Sequence, residues 1–273
     1  MIYITGDIHA DFSRFKNRML RKLKKNDALI ICGDFGFIWD GSPKEQKLLK
    51  KIGKLPYNVL FVEGTHENYD LLEKYEITEW CGGKTRQISG KLRQLLRGQV
   101  FEIAEKTVFT FGGGQTDDIY ELQEGTNWWR REIPSNEELE EGLENLEKAG
   151  NKVDFIVTYE PPAKMEDFLI GSGERNHINT YLNKIFDSTD FKGWFFGKLH
   201  MNKLIPPKYH AVYDNIVIAD STKIKKKKEE KVKPPKKHGK KTDKENTVSE
   251  KDDVDNKIAK KAENQKTKQT QEE

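Results

Sequence analysis

Cysteine and long apolar runs are scarce in this chain of 273 residues. The two cysteines, Cys32 and Cys81, are too few for a disulfide framework or a cysteine-rich metal site. Cys32 ends the apolar run 28–32, so we expect it to be a small core residue. No apolar run is long enough to cross a bilayer, so we expect no membrane span.

We expect no cleavable leader either. The first apolar run begins at residue 2, and cleavage behind it would remove the polar residues that follow, beginning with Asp7. Together with the absence of a membrane span, this predicts a cytoplasmic protein.

The C-terminal part of the chain lacks aromatic residues and arginine. Residues 223–273 contain 18 Lys and 11 acidic residues, a net charge of +7. Residues 1–222 contain 30 Lys and Arg and 34 acidic residues, a net charge of −4. A segment with so little apolar surface cannot offset the entropy of ordering. We therefore predict one domain over residues 1–222 and a Lys-rich disordered tail over residues 223–273.

The block 223–241, with 11 Lys and 2 Glu, has two interpretations. It could contact nucleic acid or another acidic surface, such as an anionic membrane or a ribosome. It could equally be a solvated charged tail. We favour the second interpretation because lysine runs without interleaved aromatic residues are unspecific.

Apolar runs alternate with helical spacings, which predicts an α/β fold with at least one part-parallel sheet. Predicted strands span residues 2–5, 29–32, 58–62, 100–103, 107–111, 154–158 and 193–196, and a final strand pair lies within 210–219. Predicted helices span residues 11–24, 44–52, 68–75, 136–149 and a segment around 178–185. Ser135 and Glu138 predict a capping box, and Leu139, Leu143 and Leu146 the buried stripe of that helix.

Five polar clusters each follow a predicted strand directly. They are Gly6-Asp7-Ile8-His9, Gly33-Asp34, Gly64-Thr65-His66-Glu67, Thr158-Tyr159-Glu160 and Gly197-Lys198-Leu199-His200. Ligands bind at the C-terminal ends of the strands in open α/β sheets, so we expect these clusters to converge. Their carboxylates and imidazoles suit Mn²⁺, Fe or Zn²⁺.

In order, spacing and strand context, the five clusters resemble the calcineurin-like metallophosphoesterases over residues 1–220. The resemblance implies a four-layer α/β/β/α sandwich of two mixed sheets flanked by helices. It also implies a first metal site formed by Asp7, His9, Asp34 and His200.

The second metal site that the resemblance implies departs from the family. It would combine Asp34 with Thr65, Tyr159 and Lys198, where the family has Asn, His and His. A protonated lysine cannot bind a metal, and threonine and tyrosine bind one weakly. We therefore expect one divalent ion rather than two, and Glu160 is a candidate substitute carboxylate.

The activity that the resemblance implies is hydrolysis of a phosphomonoester or phosphodiester by metal-activated water. His66 matches the family histidine that contacts the substrate and protonates the leaving oxygen. We expect His66, Asp34 and Lys198 to be the catalytic residues, with Lys198 holding a phosphoryl oxygen as a point charge. Glu67 is expected to orient the local turn.

A second function class remains open at this point. The substitutions at Thr65, Tyr159 and Lys198 favour a catalytically impaired protein that binds a phosphate-bearing ligand, a protein partner or nucleic acid. The retained residues of the first site favour an enzyme. The run Trp128-Trp129-Arg130-Arg131 could form a stacking and phosphate-binding patch, but packed tryptophan with exposed arginines is the favoured interpretation.

Overall fold

Two mixed β-sheets form the framework of the computed structural model, which describes residues 1–116, 119–171 and 175–222. The strands in chain order are β1 (Ile2–Thr5), β2 (Ala28–Cys32), β3 (Asn58–Val62), β4 (Ile77–Trp80), β5 (Gly83–Ser89), β6 (Leu92–Leu95), β7 (Gln99–Ile103), β8 (Lys106–Phe111), β9 (Lys152–Thr158), β10 (Asp190–Phe196), β11 (Lys203–Ile205), β12 (Tyr209–Ala211) and β13 (Val217–Ile218). The helices are α1 (Pro43–Gly53), α2 (Tyr69–Leu72), α3 (Asn136–Lys148), α4 (Ala163–Ile170) and α5 (His177–Ser188).

The strand order is β13-β1-β2-β3-β6-β5-β4 in the first sheet and β11-β12-β10-β9-β8-β7 in the second. The centre of each sheet is parallel: β1, β2, β3 and β6 in the first, and β8, β9, β10 and β12 in the second. The antiparallel strands lie towards the edges. The C-terminal ends of the central strands therefore meet at one edge of each sheet.

Three apolar clusters fill the spaces between the layers. The middle cluster lies between the sheets and joins, for example, Ile4 and Ile30 of the first sheet to Phe155 and Val157 of the second. The other two clusters lie on the outer sheet faces, one against α1 and the other against α3 and α5. The expected fold class, two mixed sheets with flanking helices, is confirmed. None of the helices in the described residues is long and apolar enough to cross a membrane.

Several predicted elements are confirmed. The strands β1, β2 and β3 follow the apolar runs, and β7 and β8 form the predicted antiparallel hairpin. Helix α3 begins with the predicted capping box, in which Ser135 accepts from the Glu138 backbone N–H and Glu138 accepts from that of Ser135. Its stripe is narrower than predicted, because Leu139 and Leu146 are buried whereas Leu143 is exposed.

The predicted helix 11–24 is wrong. The structure has two 3₁₀ turns instead, Phe12–Lys16 and Leu20–Lys22. The Asn17 side chain accepts a hydrogen bond from the Met19 N–H, and the Asn17 backbone is extended, which interrupts the helical pattern. The predicted helix 68–75 is likewise shortened to α2, the four residues Tyr69–Leu72.

The predicted final strand pair within 210–219 is also wrong, because its two strands lie in different sheets. Strand β12 pairs with β10 in the second sheet, and β13 pairs with β1 in the first. The segment between them contacts the first strand, since the Gly6 N–H donates to the Tyr213 carbonyl and the Thr5 hydroxyl donates to Tyr213 and Asn215. The predicted tail, 223–273, and its predicted partners lie outside the described residues.

Arg97 lies in a buried polar network next to the edge where the strands end. Its guanidinium donates to Glu63, which directly follows β3, and to Glu138 of α3. It also donates to the carbonyls of Arg131 and Glu132. One arginine therefore ties the first sheet to α3 and to the segment that precedes it.

Replacing Arg97 with methionine is expected to lower the free energy of unfolding by about 3–5 kcal/mol, because Glu63 would remain buried without its cation. Urea denaturation measures this change. The matched control, Lys84→Met, breaks the exposed pair with Glu141 and should cost less than about 1 kcal/mol. Equal losses of unfolding free energy in the two variants would contradict a larger contribution of the buried network to stability.

Candidate metal centre

Four side chains from three strand ends converge at the edge shared by the two sheets. Asp7 and His9 follow β1, Asp34 follows β2, and His200 follows β10. One ligand atom from each lies within 4.8 Å of the others. We call these four residues the four-residue cluster. It joins residues that follow strands of both sheets.

The distances within the cluster are those of groups that surround a common point. The His9 and His200 Nε2 atoms are 3.1 Å apart, and His200 Nε2 is 3.3 Å from Asp7 Oδ2. His9 Nε2 is 3.8 Å from Asp34 Oδ2. Asp7 Oδ2 is buried and accepts no hydrogen bond from the residues that the structure describes. A buried carboxylate oxygen without a donor, beside two imidazole nitrogens, fits a divalent cation.

The electrostatics of Asp7 agree with this fit. Burial, reinforced by the neighbouring Asp34 carboxylate, raises the pKa of Asp7 to about 8. A carboxyl group in such a place holds its proton at neutral pH unless a positive charge replaces it. The four-residue cluster therefore fits a divalent metal ion, and the role of its members as ligands stays a prediction.

The loops that carry these residues have unusual backbone conformations. His9, Asp34, Lys198 and His200 all have positive φ angles, between 43° and 62°. The Ile8 and His9 N–H groups both donate to the Asp34 carbonyl, at 3.0 and 2.9 Å, which holds the β1 and β2 loops together. Strained residues of this kind cluster at functional sites, where the surrounding structure compensates for their cost.

Asp34 is almost completely buried and accepts several hydrogen bonds. Its Oδ1 accepts from the His66 backbone N–H at 2.9 Å. Its Oδ2 lies 3.0 Å from both His66 Nδ1 and the Tyr159 hydroxyl. Burial alone would raise the pKa of Asp34, but the hydrogen bond and charge of His66 outweigh burial and lower it.

His66 lies beside the cluster but remains open to solvent, with 60% of its side chain exposed. Its ring meets that of His9 edge-on at 5.0 Å. The hydrogen bond with Asp34, opposed by burial, raises the pKa of His66. Because Nδ1 is engaged by Asp34, Nε2 is the nitrogen that can meet a substrate.

Glu67 is fully buried below this loop. Its carboxylate accepts from the backbone N–H groups of Phe35, at 2.7 Å, and Gly36, at 3.3 Å. Burial, with the charge of Asp34, raises the pKa of Glu67 well above its usual range. The carboxyl group thus ties the loop after β3 to the loop after β2, as expected for a residue that orients the turn.

The positions expected at a second metal site are already engaged by other side chains. Tyr159 is buried, and its hydroxyl is 3.0 Å from the Thr65 hydroxyl as well as from Asp34. The Lys198 ammonium forms an ion pair with Glu160 at 2.7 Å. Burial, with the charge of Asp34, raises the pKa of Tyr159 well above its usual range, so its phenol keeps its proton.

Glu160 does not point to the four-residue cluster as a substitute ligand. Its Oε1 accepts from Lys198 Nζ and the Gln115 N–H, and its Oε2 accepts from Asn176. The sequence pattern did not indicate that Gln115 or Asn176 contacts Glu160, because both contacts depend on how separate segments pack. Their contribution is to fix the carboxylate that balances Lys198.

The run 128–131 agrees with the favoured interpretation, packed tryptophan with exposed arginines, at Trp129 and Arg131. Trp129 is buried and its indole N–H donates to Asp70 at 2.9 Å. Arg131 is exposed and forms ion pairs with Asp70 and Glu73. These contacts describe packing and surface ion pairs rather than an open phosphate-binding patch.

The calcineurin-like phosphoesterase family model matches residues 1–232. The chain therefore belongs to the calcineurin-like phosphoesterase family. No curated protein matches it significantly. It is similar to the solved structure of the protein of unknown function AQ665 from Aquifex aeolicus, with 13% identity, a TM-score of 0.32 and coverage of 70% of this chain and 87% of that chain.

Replacing Glu67 with alanine is expected to lower the free energy of unfolding by about 2–5 kcal/mol. The Phe35 and Gly36 N–H groups would lose their acceptor, at about 1–3 kcal/mol for each buried group. Glu67→Gln keeps one acceptor oxygen of the same reach and should cost clearly less. Denaturant unfolding of both variants checks this, and equal losses would count against the carboxyl group as the tie between the loops.

Proposed function

We propose that this protein is a metal-dependent phosphoesterase that hydrolyses a phosphomonoester or a phosphodiester. The observation that carries the proposal is the four-residue cluster with the exposed His66 beside it. Membership of the calcineurin-like phosphoesterase family supports a phosphate ester as the substrate class.

In this proposal Asp7, His9, Asp34 and His200 hold the metal. A bound divalent ion supplies Lewis-acid polarisation of a phosphoryl oxygen and activation of water. His66 contacts the substrate through Nε2 and donates a proton to the leaving oxygen. Its Nδ1 contact with Asp34 fixes the ring, so the donor position is set before the substrate arrives.

Lys198 is the proposed contact to a phosphoryl oxygen. Its side chain is largely buried, and its ammonium is held by Glu160 and by the Gln115 carbonyl at 3.2 Å. A cation held in place by a buried carboxylate is pre-positioned, although its charge is partly balanced. A test of Lys198 therefore has to separate its contribution to catalysis from its neutralisation of the buried Glu160 carboxylate.

Turnover of p-nitrophenyl phosphate and bis(p-nitrophenyl) phosphate with added Mn²⁺ tests the proposed function. Asp34→Asn should abolish activity, because it removes a ligand charge, and His66→Ala should lower kcat by about 10²–10⁴-fold. His177→Ala removes an exposed histidine outside the cluster and should have no effect. Absence of turnover by the unaltered protein with Mn²⁺, Fe²⁺ or Zn²⁺ would reject the proposal.

The role of Lys198 is tested with two variants. Lys198→Ala leaves Glu160 buried and unpaired, whereas Lys198→Ala combined with Glu160→Gln removes both charges. If Lys198 stabilises the phosphoryl group, both variants lose about 10²–10³-fold in kcat. Full activity in the double variant would show that the ion pair is structural, and Lys198 would then not be a catalytic residue.

A protein that binds a phosphate-bearing ligand without hydrolysing it is the second candidate. The ion pair between Lys198 and Glu160 favours it, because the charge of Lys198 is balanced within the protein. Binding of inorganic phosphate, measured by calorimetry in Mn²⁺, together with no turnover of either ester, would identify this function. Turnover that depends on Asp34 would exclude it.

A further inference from the structure

We propose that Tyr159 takes the place that a second cation would need beside Asp34, so that the centre holds one ion. In this role Tyr159 is a positioning residue that orients Asp34. The inference rests on the proposed metal site, but it concerns the number of ions and the affinity for them rather than the reaction.

The direction of the hydrogen bonds at Tyr159 follows from the chemistry of its partners. An ionised carboxylate only accepts, so the single phenol proton is donated to Asp34 Oδ2. The Thr65 hydroxyl must then donate to the Tyr159 oxygen, 3.0 Å away. The side of Asp34 Oδ2 that faces Tyr159 is thus occupied by a proton donor rather than by a metal ligand.

The ring of Tyr159 lies in a slot formed by three glycines. A Cβ atom added at Gly33, Gly64 or Gly114 would lie 2.0, 2.9 or 2.8 Å from the ring carbons. These approaches are closer than real Cβ contacts, so larger residues would displace the ring. The ring is therefore in close contact with the backbone at three positions, which leaves little room for it to move aside.

Within the part of the chain that the structure describes, neither Glu160 nor Lys198 is placed to supply a ligand for a second ion. Glu160 uses both carboxylate oxygens for Lys198, Gln115 and Asn176. The Lys198 ammonium has no lone pair to offer a metal. Among the described residues, the four-residue cluster is the one group with converging metal ligands. A second ion next to Asp34 would therefore lack a coordination shell.

The same hydrogen bond affects the ion that does bind. Groups that hydrogen-bond a metal ligand fix its orientation, and their loss typically weakens metal affinity by about 10–100-fold. Tyr159 and His66 both contact Asp34 Oδ2. Removing the phenol oxygen leaves the two contacts from His66 and takes away the restraint on the side of the carboxylate that faces Tyr159.

Metal analysis and Mn²⁺ titration followed by electron paramagnetic resonance test the inference on the full chain. The unaltered protein should bind one Mn²⁺ with the signal of an isolated ion. Tyr159→Phe should still bind one ion, with a dissociation constant raised by about 10–100-fold. The control Tyr181→Phe removes another buried phenol oxygen, which has no hydrogen-bond partner among the described residues, and should leave the dissociation constant unchanged.

Two bound ions or an exchange-coupled signal in the unaltered protein would overturn the inference. Unchanged affinity in Tyr159→Phe, with its folding verified by thermal unfolding, would also overturn it. If Tyr159→Phe does not fold, the number of ions bound by the unaltered protein tests the inference: one ion supports it and two overturn it. Absence of any bound ion would reject this inference and the proposed function together. One bound ion without esterase activity would support the inference and reject the proposed function alone.

Discussion

The carboxylate of Asp34 is the group on which the rest of the centre depends. Its side-chain oxygens accept hydrogen bonds from the loop after β3, through His66, and from the strand end of β9, through Tyr159. Its backbone carbonyl accepts from Ile8 and His9 of the loop after β1. One residue therefore fixes three loops from two sheets relative to one another. The convergence of the cluster follows from hydrogen bonding as much as from the packing of the sheets.

The central strands could be predicted from the sequence because both of their faces are buried. The runs of β1, β2 and β3 are continuous and apolar, as parallel strands between helices and a second sheet must be. The helix predicted for 11–24 was wrong because apolar residues at helical spacing also suit short 3₁₀ turns. The Asn17 side chain, which accepts from the Met19 N–H, favours the turns over a continuous helix. Strand β13 could not be separated from β12 because apolar pattern does not encode which sheet a strand joins.

The positions of the site residues could be predicted for a related reason. Polar residues after parallel strands share one edge, so the strand order of the first sheet brings Asp7 and Asp34 together. The packing of the second sheet against the first brings His200 to them. The contacts that engage Lys198 and Asp34 could not be predicted from the sequence. Nothing in the spacing directs Glu160 towards Lys198, or the phenol of Tyr159 towards Asp34, because those directions depend on the packing of distant segments.

The pairing of the first strand with the last one determines when the centre can form. Residues of the β1 end contact Tyr213 and Asn215, and β1 is hydrogen-bonded to β13. Contacts between such distant segments are among the slowest to form in folding. A growing chain emerges with Asp7 and His9 first, yet the strand end just before them gains the Tyr213 and Asn215 carbonyls as partners only after residue 215 has been synthesised. Until then the side chains of the four-residue cluster are not held together, and the cluster itself forms at the final stage of folding.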